Sequence, residues 1–552
     1  MFLNYINTIK YLKPIQILYR LKASLRIKPI SRKKNIIIRK ISKTANFPSV
    51  KRNPFSEKNT VISFLNKKVK LEDTKWQPKD LPKLWIYNFH YLDFLNSEFS
   101  SKNFTFCHES ISNWVEANPD FKGIGWETYP TSIRAINLCK FFINNDYYDL
   151  KLCKDLYDHG RLIYRNMEYH ILGNHLFTNA KALIFLGIFF DDKESERWLN
   201  RGKKIFFQQL QEQILDDGGH FELSPMYHLL FLEDLIDIYC LCVVTKNTDL
   251  QEIENILKEK IKKMINWSSL MNHPDGNISF FNDACNGVAP ALEKITDVAL
   301  NFGVNISKDI KHQTKSGINH FHLIQSGYIR VESPECIALL DVAKIGPDYL
   351  PGHGHADTLS FELSLFNQRT LVNGGISTYE INKKREYERS TLNHNTLMLC
   401  GKSSSEVWKS FRVADRANPS NLEISDEKQF LEVSCEHDGY RKFKYAPKHR
   451  RVWRFGANML EISDSIDSNL QKNTNYKSRV NFMIHPEVNI KQLSGSVCEL
   501  KLRNGKLIKF KSFKQKIYLE DCFYSSEFGE SQETKRIFLE SSDNAFKIKM
   551  SW

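Results

Sequence analysis

Residues 352–364, GHGHADTLSFELS, set His353 and His355 two positions apart, with Asp357 two further on, where an alternating apolar run begins. Positions two apart on an extended chain face the same way, so these three side chains are expected on one face. Such a face is either a polar turn before a strand or part of a metal or catalytic cluster. Two imidazoles are too few to hold a metal alone. YERSTLNHNTLML supplies a candidate third ligand in His394, and also carries Tyr387, Arg389 and Asn395. Asn373 of LVNGG is a polar end to a further apolar run. Two more clusters come earlier in the chain. GNHLFTN places Asn174 and His175 at the start of an apolar helix, where an Asn is ordinarily a cap. GGHFELSPMYH holds Glu222, Tyr227 and His228 around a Pro that opens another helix, and a lone Tyr there is ordinarily packing.

The elements that must hold these residues follow from periodicity. From about residue 84 to 302 apolar residues recur at three and four, as in TSIRAINLCKFFINN. NHLFTNAKALIFLGIFF and MYHLLFLEDLIDIYCLCVV are apolar on more than one face, the mark of helices buried within a layered array. After about residue 317 the period changes to two: SGYIRVES, TLSFELSLF, FLEVSCEH and HRRVWRF are short alternating runs divided by turn residues. Helices first and strands second predict an α domain followed by an antiparallel β-sandwich. At 552 residues the chain is too long for one core. The expected units are a basic segment over 1–60, a helical domain over 61–312 and a β domain over 313–552.

The net charge of +14 is unevenly placed. Residues 1–52 hold fourteen Lys or Arg and no acid, while the acidic and basic residues of the remainder balance. The basicity therefore says little about the cleft of the main domains. The mixed apolar and basic pattern of YINTIKYLKPIQILYRLKASLRIK suits either a helix packed on the body or contact with an anionic membrane surface. No Walker or dinucleotide motif follows a strand, and only the charge favours nucleic acid, so neither ligand is expected. No apolar run approaches the ~20 residues of a membrane span, and the N-terminus does not read as a secretory signal. Eleven unpatterned cysteines fit free thiols. These features favour a cytoplasmic or membrane-peripheral protein, although a polysaccharide substrate would often point to the periplasm.

The stretches LWIYNFHYLDFL, GWETYPTSIRAIN, GNHLFTNAKAL, DGGHFELSPMYHLLFLEDL, FNDACNGVAP, GPDYLPGHGHADTLSFELS and LNHNTL occur in an order, and over most of the chain, that resembles the heparinase II/III-like polysaccharide lyases. The resemblance extends to alginate lyase-like relatives and is greatest to the branch associated with capsule and surface-polysaccharide gene clusters. It implies an incomplete (α/α) toroid joined to an antiparallel β-sandwich, and β-elimination on an acidic, uronate-containing bacterial glycan. By the same resemblance Asn174 would neutralise the uronate carboxylate with His175 nearby, Tyr227 would carry the proton, and His353 would be the catalytic histidine. His355 and His394 match positions that bind a structural zinc in some members. Asn373 stands where metal-binding members commonly have an acid, and Asn is the poorer zinc ligand because it is neutral. A zinc, if held, would take His355, His394 and Asn373 or water, with Asp357 orienting a histidine or capping the turn.

Trp126, Tyr129 and Arg134 are candidates to line the glycan cleft, since aromatic faces stack on sugars and Arg pairs with carboxylates. Glu222, Tyr387 and Arg389 join them as candidate substrate contacts, whereas His90 is expected inside the toroid. Two other classes of function are weighed: a non-catalytic glycan-binding or assembly protein, and a metal-dependent hydrolase built on H-x-H. The latter should show alternating strands and helices after the motif, but nearly all that follows reads as strand.

Overall fold

The computed structural model describes residues 2–23, 35–41, 46–48, 53–56, 60–306, 314–467, 476–543 and 545–552. Its first half is the helical toroid: Thr128–Asn145, Leu150–Arg165, Gly173–Phe189 and Lys193–Gln213 pack in succession, and Pro225–Thr245 packs against Gly173–Phe189 and Gln251–Met271. Gly173–Phe189 and Pro225–Thr245 are buried almost all round, as their uniform apolarity requires, and they form the inner layer from which the site residues emerge. Caps set where helices begin. Asp192 and Ser195 close a capping box on Lys193–Gln213, and Ser224 accepts from the backbone N–H of Tyr227 with Pro225 in the first turn.

The second half is antiparallel sheet. The largest sheet has eight strands in the spatial order Pro419–Glu427, Phe430–His437, Lys448–Gly456, Met459–Asp467, Ala545–Ser551, Leu507–Ser512, Val497–Lys501 and Asn489–Ser494. A five-stranded meander over Asn319–Leu323, Tyr328–Ser333, Cys336–Asp341, Phe361–Leu365 and Gln368–Leu371 shares a core with it. A four-stranded sheet joins Ile517–Tyr524, Gln532–Ser541, Ser478–Met483 and Leu397–Leu399. Alternation places every second residue inside, so that Phe361 meets both Trp453 and Phe482.

The helix-then-strand order matches the sequence reading. The expected boundary at 312/313 lies outside the described residues, between a helix ending at Asn301 and a strand starting at Asn319. Two features were not anticipated. A small sheet of Phe55–Ser56, Val61–Phe64 and Lys67–Lys70 precedes the toroid, and a short helix, Lys383–Glu388, interrupts the strands. Of the basic segment, residues 24–34, 42–45 and 49–52 lie outside the described residues. Phe2–Ile9 and Pro14–Ala23 are helices packed on the body. Among the described residues no helix is long and apolar enough to cross a membrane, and all eleven cysteines are free.

Candidate active site

The site lies where the toroid meets the sandwich. From the toroid come Asn174 and Tyr227, each in the first turn of its helix, and each helix follows a leucine with positive φ, Leu172 at 70° and Leu223 at 58°. A non-glycine residue pays for that conformation, and it persists only where the surroundings over-determine it. Gly173, at φ 51°, is a close approach as well: a Cβ there would meet Leu350 Cδ2 at 2.4 Å and Glu222 Oε1 at 3.3 Å. Glu222 thus sits beside the helix start that presents Asn174.

From the sandwich side comes His353. Its ring stacks on that of Tyr227 with centroids 3.9 Å apart, and the Tyr227 hydroxyl meets that of Tyr379 at 3.1 Å. His353 Nδ1 lies 2.8 Å from Asp283 Oδ2, and His353 Nε2 faces Glu222 Oε2 at 3.6 Å. Asp283 is the hub. Arg385 donates to both of its oxygens, at 2.5 and 2.7 Å, and His355 Nε2 meets Oδ1 at 2.8 Å. The side chains of Asp283, Arg385 and His355 are at most 1% exposed, but that of His353 is 19% exposed. Of this charged group, then, His353 is the one that a substrate can reach.

The electrostatics follow from burial and from the hub. Burial alone would raise the Asp283 carboxyl, yet Arg385 and the two histidines hold it well below the usual carboxylate range. Burial, and then the Asp283 charge, push the Tyr227 phenol well above its ordinary value, so it remains a proton donor at neutral pH. Burial also raises Glu222. Asn174 Oδ1 and Glu222 Oε2 are buried without a hydrogen-bond partner. Two such atoms beside an accessible histidine mark a place where a polar ligand completes the bonding.

His353 and His355 do converge, but not as neighbours on a strand face. Residues 351–360 form a loop, the strand starts at Phe361, and the two rings take opposite oxygens of Asp283. Asp357 accepts from the backbone N–H of Asn282, so it positions the segment carrying Asp283 and orients no histidine. Burial lifts the Asp357 carboxyl to about 6. Because the folded value is raised, ionisation above pH 6 costs stability, and that cost vanishes as the pH falls towards the unfolded value of ~4. Asp357→Asn is therefore expected to raise the melting temperature more at pH 8 than at pH 5, as calorimetry at the two pH values would show.

Of the expected zinc ligands, the two histidines face each other and Asn373 lies to the far side of one of them. His355 Nδ1 and His394 Nε2 are 3.2 Å apart, but Asn373 Oδ1 lies against the other nitrogen of His394, Nδ1, at 3.0 Å. Among the described residues no group of three or more His, Cys, Asp or Glu could hold a metal ion. The same residues instead form a chain of polar contacts. With Asn373 turned over, its amide would donate to His394 Nδ1 and Ser360 Oγ, His394 to His355, and His355 to Asp283. Both rings are then neutral, in keeping with burial, which lowers His355 to about 4 and His394 further.

Four expected substrate contacts lie elsewhere. Arg134 is fully buried against the Trp114 ring and donates to the carbonyls of His90 and Gly125. Trp126 is buried too, its indole donating to Asn118 O. Each is satisfied inside the toroid, with His90 beside them accepting from Trp114. Tyr387 takes a hydrogen bond from Arg536, and Arg389 is buried, donating to the carbonyls of Gly354, Lys409, Ser410 and Arg412. Arg389 thereby pins the histidine loop. Tyr129 remains at the site, its ring 4.3 Å from that of His175, whose Nδ1 meets Glu168 Oε1 at 3.1 Å. The sequence reading missed Asp283, Arg385 and Tyr379. FNDACNG was noticed as a motif, but nothing local marks its Asp as the partner of residues 70 and 102 positions away.

The family description Heparinase II/III N-terminus matches residues 5–307, and Heparinase II/III-like, C-terminal matches residues 316–552. The chain belongs to the heparinase II/III family. Among curated proteins it is 24% identical over 367 residues to a heparin-sulfate lyase of Pedobacter heparinus, covering 59% of this chain and 54% of that one. It is 29% identical over 251 residues to a heparin-sulfate lyase of Bacteroides stercoris, covering 43% and 37%. The matched region thus spans about half, or less, of the length of these relatives. Among solved structures, heparinase III superposes with a TM-score of 0.66 at 16% identity, over 97% of this chain and 88% of that one. A heparan sulfate lyase from Pedobacter heparinus gives 0.56 at 15% identity, over 97% and 87%. At these identities the structural likeness speaks for the fold, an α/α toroid and a β-sandwich.

Proposed function

We propose that the protein is a polysaccharide lyase that cleaves a uronate-containing acidic glycan by β-elimination. One observation carries this reading: a half-buried phenol, Tyr227, is stacked on an accessible histidine, His353, whose far nitrogen is held by a buried carboxylate. With Nδ1 donating to Asp283, His353 presents the Nε2 lone pair, the form of the ring that can take the C5 proton. The electron pair left at C5 is delocalised into the uronate carboxylate and then expels the C4 oxygen, and Tyr227 supplies the proton that this oxygen needs to leave. Asn174, with Glu222 raised towards its neutral form, is placed to meet the carboxylate, whose charge must be offset as the enolate-like state develops. Asn174→Ala is expected to cost about 3 kcal/mol of transition-state stabilisation, read as a lower kcat.

Incubation with a panel of uronate polymers, followed by absorbance of the unsaturated product, tests the reading. Heparan sulfate belongs in the panel because the curated relatives are named for it, and bacterial surface glycans belong there because of the motif resemblance. No ultraviolet product from any of them would favour a glycan-binding protein instead.

The outer face of the N-terminal helices adds a contact surface. Ile6, Ile9, Ile15, Ile17, Leu18 and Leu21 are exposed there among Lys10, Lys13 and Lys22. The exposed apolar residues with Lys10 and Lys22, Lys13 being turned inward to Glu212, support peripheral binding to an anionic bilayer. Co-sedimentation with anionic but not with neutral vesicles is the expected result, and equal binding to both would refute it.

A further inference from the structure

The inner face of the same N-terminal segment spans the two domains beside the cleft. Its first helix rests on the sandwich: the Tyr5 ring meets Trp408 at 4.8 Å, Thr8 Oγ1 donates to Val413 O, and Lys409 donates to the Tyr5 hydroxyl at 3.0 Å. Its second helix rests on the toroid. Gln16 donates to the carbonyl of Ile171 there, and also to that of Tyr349 in the loop of the other domain that leads to the histidines, while the Tyr19 ring meets that of Tyr169 at 4.7 Å. Both contact regions adjoin the site. Ile171 is three residues before Asn174, and Phe411, between Lys409 and Arg412, has its ring 5.7 Å from that of His353.

Gln16, Tyr19 and Arg20 share one face of the second helix by their spacing. Where the first two touch the toroid, Arg20 comes near Arg412 of the hairpin Val407–Trp408 and Arg412–Val413. Burial, and then the Arg412 charge, lower the Arg20 guanidinium. Tyr19, one residue before Arg20, meets Tyr169, one before His170, and Arg412 lies over the Tyr5 and Trp408 rings at 5.1 Å, next to the Phe411 that reaches His353, so both arginines lie towards the site. Neighbouring cations on this surface are neutralised: Lys13 pairs with Glu212 and Arg416 with Asp348. Among the described residues Arg20, Lys409 and Arg412 have no carboxylate partner. Like charges held together without a counter-charge define a place for an anion.

We propose that Arg20 and Arg412, assisted by Lys409, form an anion subsite at the mouth of the cleft, which takes a carboxylate or sulfate of a sugar flanking the one that is cleaved. This rests on the acidic-glycan reading above. It gives the basic segment a role in substrate binding that its position in the sequence does not suggest.

The test measures equilibrium binding of octasaccharides of heparin, chondroitin sulfate and polyguluronate to full-length Tyr227→Phe protein, so that no turnover intervenes. Adding Arg20→Gln together with Arg412→Gln should raise the Kd of the tightest of these by about tenfold, the loss of two charge-assisted contacts, and should flatten its dependence on salt. Lys491→Gln together with Lys501→Gln, on the strands Asn489–Ser494 and Val497–Lys501 at the edge of the sandwich, serves as the control for net charge. An unchanged Kd in the double variant overturns the subsite. So does an equal loss from the doubly substituted lysine control, or no binding of any octasaccharide by the protein with both arginines intact. Binding that depends on the two arginines, with no unsaturated product from the wild type, would uphold the subsite and overturn the lyase reading.

Discussion

Tyr227→Phe is expected to lower turnover by about a hundredfold or more while leaving the melting temperature nearly unchanged. The substitution removes one hydroxyl and keeps the ring, so the stack on His353 at 3.9 Å and the packing of the helix start survive. Only the contact to the Tyr379 hydroxyl is lost. The departing glycosidic oxygen is a poor leaving group without a proton. The phenol, held in its protonated form by burial and by Asp283, is the donor that the cleft supplies. Kinetics on whichever polymer gives an unsaturated product provide the measurement. A folded Tyr227→Phe variant that turns over at the wild-type rate would remove Tyr227 from the chemistry, and the proton would then have to come from His353 or Glu222.

Asp283→Asn should be damaging in two separable ways. An amide can still contact His353 Nδ1, but it no longer stabilises the imidazolium formed when the ring takes a proton, and it no longer dictates the tautomer. Turnover should fall by about a thousandfold or more. The same change leaves Arg385 buried opposite a neutral group, where breaking a buried pair costs about 3–5 kcal/mol. The pH dependence has a definite sign. The folded Asp283 carboxyl lies below its unfolded value of ~3.9, so its contribution is present above that pH and is lost as the pH falls through the folded value. The stability gap between wild type and variant should therefore be full at neutral pH and close on acidification below about pH 4. Denaturant titrations at several pH values would show this, and an Asp283→Asn protein with wild-type stability and turnover would refute the hub.

Much of this protein could be read before it was folded. The change of period near residue 317 separates helices from strands because helical and extended backbones repeat their side chains at 3.6 and at 2, whatever their partners are. Asn174, Tyr227 and His353 were singled out by the resemblance of their motifs, since local rules alone read them as a cap, a packed ring and part of a polar turn, and the fold stacks Tyr227 on His353. Asp283 shows where such reading stops. Its partners, His353, His355 and Arg385, come from one loop and a short helix of the other domain, and their approach depends on how the toroid and the sandwich dock. The misplaced substrate contacts have the same origin. Arg134 and Arg389 carry the side chain suited to a carboxylate, yet each is spent on backbone carbonyls in the interior, and no sequence pattern distinguishes a guanidinium that clamps a loop from one that faces a cleft. Asn373 likewise read as a weakened zinc ligand. Only the packed interior, which sets its side-chain amide against the far nitrogen of His394, makes it the end of a polar chain that leads through His355 to Asp283. Periodicity and motifs act over a few residues. Burial, and the pairing of charges across 70 to 100 residues, belong to the folded chain.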